Sequence, residues 1–554
     1  MRTFSSRSVI LLAVIVLSFA LGAFTTYTYS VQITKEQVQA ASAISGLSFT
    51  DPEIDDMLSS LDNFRSAYDE LRQADIPNAL PPALQFNPLP MGFPLHTDKV
   101  PAVFRPADEV SLPENLSDLA FYSIQDLASL IRTRKISSEN LTRFFLDRLK
   151  KYDKNLHCVI TLTEELALEQ ARKADAEIAA GNYRGLLHGI PYGAKDLLAT
   201  RNYLTTWGAM PYKDQSFGYD ATVIQKLEAA GAVLVAKLTL GALAMGDVWF
   251  GERTRNPWNT ETGSSGSSAG SASAVAAGLV PFAIGTETLG SIVSPSTTCG
   301  VTGLRPTFGR VSKFGAMALS WSMDKIGPIT RYAEDAAIVF EAIYGPDGQD
   351  MSVIDAAFNY DYREDPKKLR IGYLAEAFAS SRFRAQDSIS LQVLRDLGYE
   401  LVPITLPELP NIRFILTAEA AAAFDELTRS DRDDLMVRQG KGAWPNTFRS
   451  GRMIPAVEYI QANRLRSRLI EQMDDLFEDI DLYVHPSWGN NSLTITNFTG
   501  HPCVVVPNGF QDNGLPSSIS FTGSLFGEAD LLRFAETFQQ ATNFHTQHPE
   551  WVKD

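Results

Sequence analysis

The chain has 554 residues, 45% of them hydrophobic and 21% charged, proportions that exclude a chain dominated by disorder. Forty-nine Lys plus Arg against 65 Asp plus Glu give a net charge of −16, a sign that repels nucleic-acid phosphate and anionic lipid where no basic patch overrides it. Cys158, Cys299 and Cys503 are too few and too widely spaced for a disulfide framework or a zinc site, so the fold must stand on its packed core.

At the N-terminus, Arg2 and Arg7 precede a largely apolar run from Val9 to Phe24, and no charged residue occurs between Ser8 and Thr34, the layout of an export signal. The run falls short of the roughly 20 residues of a bilayer-spanning helix, but the uncharged tail Thr25 to Gln32 extends it. Residues 1–34 therefore read as a signal peptide, with small-x-small sites at Thr28-Tyr29-Ser30 and Ala41-Ser42-Ala43, or as an anchor holding the protein to a membrane through residues 8–32. Both readings predict export; the alternative is a buried N-terminal helix.

Residues 35–113 are predicted to form an N-terminal helix and an extended arm. Ile54, Met57, Leu58, Leu61, Phe64, Tyr68 and Leu71 fall at helical spacing between Asp51 and Arg72. Pro77, Pro81, Pro82, Pro88 and Pro90 then forbid regular structure, while Leu80, Leu84, Phe86, Leu89 and Phe93 are too apolar for a solvated linker. The arm is expected to wrap on the body, which spans residues 114–545.

From Tyr122 the pattern alternates helices and short apolar strands. Ser123 with Asp126 caps one helix, Ser137 or Ser138 caps a second carrying Leu141, Phe145, Leu149 and Tyr152, and a third runs from Glu164 to about Ala180. Candidate strands are Gly189–Lys195, Ala232–Lys237, Val280–Gly285, Leu369–Tyr373, Glu400–Thr405, Leu482–His485, Pro502–Pro507 and Ser517–Thr522. This alternation predicts an α/β domain with a large mixed sheet covered by helices. The more helical, acidic segment 361–479 is expected to form a cap that decides the substrate. No internal repeat is present.

Between Thr262 and Leu304 Glu287 is the only charged residue, and Ser, Gly, Ala, Val and Thr fill most of the rest. A flexible linker would have that composition, but Ala272 to Ile284 reads as a buried helix followed by a strand. Three serine motifs compete here. Gly266-Ser267-Ser268-Ala269-Gly270 satisfies the G-x-S-x-G elbow with Ser268 as nucleophile, but the preceding Arg253–Gly263 reads as a loop and not the strand that motif needs. Ser322-Met323-Asp324-Lys325 fits S-x-x-K, yet no Ser-Asp-Asn or Lys-Thr-Gly accompanies it. The third candidate joins Lys195 in His188-Gly189-Ile190-Pro191-Tyr192-Gly193-Ala194-Lys195-Asp196 with Ser267 and with Ser291 in Gly285-Thr286-Glu287-Thr288-Leu289-Gly290-Ser291-Ile292.

These residues resemble the amidase signature family, as do Leu187-His188-Gly189-Ile190-Pro191, Gly303-Leu304-Arg305-Pro306-Thr307, Asp324 before Gly327-Pro328, and Asn497-Phe498-Thr499-Gly500-His501-Pro502, from about Tyr122 to Phe538. The resemblance implies an α/β/α sandwich around a mixed sheet, no metal or cofactor, and hydrolysis of a small-molecule carboxamide. Ser291 matches the family's nucleophile, Ser267 the bridging serine in a cis peptide, and Lys195 the base; backbone N–H groups of Thr288, Leu289, Gly290 and Ser291 would form the oxyanion hole. Neutral Lys195 would take a proton from Ser267, which relays one from Ser291 as that oxygen attacks. Burial among uncharged residues would supply the lowered pKa, with Asp196 on the opposite face of the strand.

The sequence departs from the family's Gly-Gly-Ser-Ile-Arg, having Leu289-Gly290-Ser291-Ile292-Val293, and has Glu287 where an Asp is usual. Leu289 is expected to narrow the room above the oxyanion donors, and Val293 to remove a charged support. His188, His485 and His501 read as strand-end hydrogen-bonding residues, His545 and His548 as solvated, Arg305 and Asp324 as structural, and Thr205, Thr206 and Gly208 as loop contacts near the pocket. Trp207, Trp249 and Trp258 fit either the approach to the site or the core. The reading is an exported amidase acting without nucleic acid. The alternatives are an amide-transferring protein of the kind that modifies misacylated tRNA, and a non-catalytic binding protein on the same fold.

Overall fold

The computed structural model describes residues 32–107 and 110–553. The signal-like segment lies almost wholly outside them, and among the described residues no helix is long and apolar enough to cross a membrane. The chain divides into two compact units, Met1–Pro77 and Asn78–Asp554. In the first, helices Lys35–Ile44 and Asp51–Leu71 are joined by an ion pair between Lys35 and Asp55. Each begins with a capping box, Thr34 with Gln37 and Thr50 with Glu53, which satisfies N–H groups that the first turn leaves over. The periodic pattern of residues 51–72 is thus one helix; the shorter helix before it carries too few apolar residues to announce itself.

The second unit is built on a large mixed sheet. In chain order its strands are β1 (Val159–Leu162), β2 (Pro191–Lys195), β3 (Val233–Leu238), β4 (Arg255–Asn256), β5 (Asn259–Gly263), β6 (Phe282–Glu287), β7 (Thr302–Arg305), β8 (Lys325–Thr330), β9 (Ile371–Tyr373), β10 (Leu401–Pro403), β11 (Leu482–Pro486), β12 (Cys503–Phe510) and β13 (Pro516–Gly523). Eleven of them form one sheet in the order β1-β3-β2-β6-β8-β7-β12-β13-β11-β9-β10. The other two, β4 and β5, pair as a separate hairpin, so part of the stretch read as a loop is a short hairpin. Its Asn, Trp and Thr composition conceals the pairing.

Both faces of the sheet are covered. Leu234 of β3 enters one apolar cluster with Ala194, Phe282 and Ile284, while Val233 and Val235 enter the other with Ala272, Val275 and Ala283. Strands buried on both sides read as continuous apolar runs, which is why β3 and β6 are legible. The central strand β8 is not, since Gly327 and Pro328 interrupt it. A Cβ at Gly327 would lie 2.0 Å from the Leu304 carbonyl oxygen, so glycine is required where β8 meets β7. The α/β fold with a large mixed sheet, helices on both sides, is the architecture observed.

Segment 361–479 is not set apart as a cap. Its strands β9 and β10 form one edge of the sheet, with β9 hydrogen-bonded in parallel to β11. The arm from Asn78 lies on the same unit. The Asn78 amide donates to the Ala318 and Ala423 carbonyls, Phe86 meets Phe308 edge-on, Val103 pairs with Asp361, and the Arg105 N–H donates to Glu334. Near the C-terminus His545 is buried and His548 stacks on Phe121 at 3.9 Å. The expectation of a solvated histidine pair is thus corrected, because the chain turns back after helix Glu528–Thr542 onto the body.

Candidate active site

Lys195 closes β2 with its side chain fully buried. Its Nζ has four oxygen neighbours: Ser267 Oγ at 2.8 Å, Thr286 Oγ1 at 2.8 Å, Ser268 Oγ at 3.1 Å and the Thr286 carbonyl at 3.3 Å. Burial pushes the lysine pKa down to about 7, against the charges of Asp324 and Glu287, which raise it. The expected uncharged surroundings are therefore modified: two carboxylates lie near enough to act on Lys195, and desolvation outweighs them. A neutral amine with a lone pair is accessible near pH 7, as a general base requires.

Asp196 points the other way, as strand alternation demands. Its carboxylate pairs with the equally buried Lys237 at 2.8 Å and accepts the N–H and hydroxyl of Thr206, while Thr205 Oγ1 accepts from Lys237. Thr205 and Thr206 thus serve this buried pair, and neither lines the cleft beside the site. Lys237 balances the charge of Asp196; the sequence offers no signal for it beyond a polar residue in an apolar strand.

The Gly266–Ser267 peptide is cis. A Cβ at Gly266 would lie 1.9 Å from the Gly246 carbonyl oxygen, so that position admits no side chain without displacement. Among the described residues Lys195 Nζ is the hydrogen-bond partner of Ser267 Oγ. Ser268 Oγ, by contrast, donates to the Thr286 carbonyl at 3.0 Å and accepts the Thr286 N–H at 3.1 Å. Its proton is committed to the backbone and its side chain is sealed, which disqualifies Ser268 as the elbow nucleophile. Ser267 has a proton to give.

Ser291 is 8% exposed, against 1% for Ser267, and is the more open of the two residues. Its carbonyl accepts the Ser268 N–H at 3.1 Å, which ties its loop to the cis-peptide segment. Among the described residues no hydrogen bond joins the two serine hydroxyls directly, a looseness common in sites without substrate. Among the same residues no hydrogen bond occupies the N–H groups of Thr288, Leu289, Gly290 or Ser291 either, and Gly290 adopts φ +87°, the turn that glycine allows.

The loop around Ser291 is supported by two carboxylates. Glu287 accepts the N–H groups of Ile292 (2.8 Å) and Val293 (3.0 Å), the Asn497 amide (2.8 Å) and Arg305 (3.1 Å), all buried. Burial pushes its pKa up, but Arg305 and these donors outweigh it, and the net direction is down. Arg305 also donates to Thr496 Oγ1 and the His501 carbonyl. Charged support is therefore supplied from β7, and Val293 packs instead with Cys503 and Val505. Leu289 packs against the cluster of Tyr483, Ile495 and Phe498. Asp324 accepts the Thr288 hydroxyl at 2.6 Å and the N–H groups of Leu319 and Ser320, fixing the other end of the loop.

The histidines stand apart. His485 bonds Thr522, Ser492 and the Pro486 carbonyl; His501 bonds Thr499; the Arg184 N–H donates to His188. Trp207 is packed against Tyr212, Phe217 and Phe424, and Trp258 donates to the Cys299 carbonyl. Sequence reasoning assigns no role to Thr286 or Asn497. Thr286 sits in the quoted nucleophile run, but only the β2–β6 pairing shows that it meets Lys195.

The site thus sets a buried lysine facing a serine beside a cis peptide near a serine on a glycine turn whose N–H groups have no partner among the described residues. The family model described as Amidase matches residues 140–496, and the chain belongs to that family, the amidase signature proteins. It is 34% identical over 483 residues to a glutamyl-tRNA(Gln) amidotransferase component of Bacillus velezensis and 35% identical over 485 to its counterpart in Methylococcus capsulatus, covering 77% and 78% of this chain and 99% of each relative. Among solved structures it resembles the peptide amidase of Stenotrophomonas maltophilia, with a TM-score of 0.69, 30% identity, and 77% and 98% of the two chains covered. A bacterial aryl acylamidase at 21% identity and TM-score 0.68, with 76% and 97% of the chains covered, shares the fold.

Proposed function

We propose that this chain cleaves a carboxamide C–N bond through an acyl-enzyme on Ser291. The supporting observation is the hydrogen bond from Lys195, its pKa lowered to about 7, to a Ser267 hydroxyl with no other partner among the described residues. Neutral Lys195 accepts the Ser267 proton while Ser267 takes that of Ser291, whose oxygen attacks the carbonyl carbon. The N–H groups of residues 288–291 receive the oxyanion, where one donor is typically worth about 3 kcal/mol. The relay then runs in reverse, protonating the departing amine, and a second nucleophile releases the acyl group.

Two fates for the products are compatible with that step. The curated relatives favour amide transfer, in which the nitrogen released from an amide donor passes to a glutamyl-tRNA(Gln) acceptor with the help of partner proteins. The likeness to a peptide amidase favours hydrolysis by the chain alone. Export, proposed from the N-terminal sequence, would remove the chain from aminoacyl-tRNA, so fractionation and N-terminal sequencing of the mature protein bear on the choice. The direct test is fluorophosphonate labelling with peptide mapping in wild type and Lys195→Ala. Label on Ser291 that depends on Lys195 is expected; label elsewhere, or none on folded protein, removes the mechanism. Ammonia release from an amide by the isolated chain supports hydrolysis, and release only with partner proteins supports transfer.

A further inference from the structure

A solvent-open cleft begins at Thr286 and Thr288, beside Lys195 and at the start of the nucleophile loop. Its lining includes the segment from Lys313 to Asp324 and, at the rim, the exposed Ala79 and Pro81 of the arm. When a primary amide is cleaved the leaving group is ammonia, so any bulk beside the reacting carbon belongs to the acyl part. The cleft is where that part can lie.

The walls are apolar: Leu197, Phe314, Met317, Leu319 and Ile326 face it. The charged groups that line it are already engaged. Lys313 pairs with Asp350 at 3.3 Å and bonds Ser352; Asp350 also accepts from Ser352. Asp324 holds Thr288, Leu319 and Ser320, and Lys325 donates to the Met323 carbonyl. A carboxylate on the acyl part would meet no unengaged cation on this lining and would lose hydration without compensation. Besides these the lining carries two neutral donors without a partner among the described residues, the exposed Gln349 amide and the buried Trp321 Nε1. The Gln349 amide suits a carbonyl oxygen on an otherwise apolar acyl group.

The arm is part of this cleft through Asn78. Its Nδ2 donates to the Ala318 carbonyl at 2.8 Å and its Oδ1 accepts the Ala318 N–H at 2.8 Å, a two-bond clamp of the kind one strand makes on another. Ala79 and Pro81 follow directly and are thereby fixed at the rim.

We propose that this cleft selects the amide of an uncharged, largely apolar acyl group carrying a carbonyl acceptor, and that Ala79 and Pro81, clamped by Asn78, form the specificity wall. The proposal rests on the amide-cleaving reading above. It disfavours free glutamine, whose α-carboxylate and α-ammonium would both enter the cleft, and so weighs toward hydrolysis. The test pairs binding with turnover on the full chain, using N-acetyl-phenylalaninamide, succinamate and glutamine as probes, in wild type and in Ala79→Trp, which fills the rim. Calorimetric binding is expected to be about tenfold or more tighter for the neutral amide than for either charged one. Ala79→Trp should abolish that preference, with the loss falling on binding of the neutral amide. Charged amides bound as tightly as the neutral one, or no effect of Ala79→Trp on the preference, would overturn the assignment. The expected binding pattern without turnover of any amide would leave the cleft assignment standing and overturn the catalytic reading instead.

Discussion

Arg305 donates to Glu287 at 3.1 Å with both side chains fully buried, and Glu287 in turn holds the N–H groups of Ile292 and Val293 immediately after Ser291. The segment after Ser291 hangs on this carboxylate, balanced by a guanidinium from β7. Breaking a buried pair by removing one partner typically costs about 3–5 kcal/mol. Arg305→Met is therefore expected to lower unfolding free energy by about that amount in urea titration; a loss under about 1 kcal/mol would show that Glu287 is solvated or otherwise balanced.

Ser291→Ala is expected to abolish turnover and fluorophosphonate labelling while the melting temperature stays within about 2 °C, since the side chain makes no hydrogen bond among the described residues. Retained turnover would take Ser291 out of the mechanism. The parallel Ser268→Ala change should instead cost stability, because the hydroxyl satisfies both the N–H and the carbonyl of Thr286.

Lys195 must be neutral to act, so kcat/KM should rise with pH through an apparent pKa of about 7. A flat profile from about pH 6 to 9 would remove it as base. The sign for stability follows from the same shift. With the folded-state pKa below the ordinary lysine value, the unfolded chain binds more protons between about 7 and 10.5, and this group's contribution to stability grows as pH rises across that window. Lys195→Met should gain most on wild type near pH 6 and least near pH 10, read as the difference in Tm.

Glu334 presents the opposite sign. Burial, and then the charge of Glu536, push its pKa up to about 7. The protonated form contributes stability that is fully present below the ordinary carboxylate value near 4.5 and is lost as pH rises through about 7. Glu334→Gln keeps an acceptor for the Arg105 N–H, and its Tm should fall less than wild type's between about pH 5 and 8. Equal slopes would show that Glu334 does not titrate in that window.

Thr288 donates to Asp324 at 2.6 Å, and its own N–H has no partner among the described residues. Thr288→Val should lower kcat about tenfold with little change in KM, a loss near 1.4 kcal/mol as expected for one hydrogen bond that orients a catalytic loop. A change confined to KM would place Thr288 in substrate binding alone.

Most of the sheet is legible in the sequence because its strands are buried on both faces and so stand out as runs such as Ala232 to Lys237. Strands β7 and β8 are not, since Gly303, Gly327 and Pro328 carry the signature of turns; their pairing is decided by neighbours, with Gly327 demanded by the Leu304 carbonyl. The hairpin β4–β5 and the turned-back tail with His545 escape for a similar reason: a polar composition near a chain bend looks solvated until the surface it covers is known.

The fold class and the amidase family can be read from the order of residues, and the resemblance singles out Lys195, Ser267 and Ser291 as the candidate trio, because a strand-end lysine and two serines in a charge-poor, glycine-rich stretch stand in a recognisable sequence. Which hydroxyl has a proton free to move is a matter of packing, since Ser267 and Ser268 are neighbours in the chain and differ only in what surrounds them. Packing also compensates Glu287 and Val293, departures that in sequence look like losses for the loop, through Arg305 from β7 and an apolar bed at Cys503 and Val505. Hydrogen bonds and charge balance depend on distances between segments far apart in the chain, and those distances exist only once the sheet has assembled.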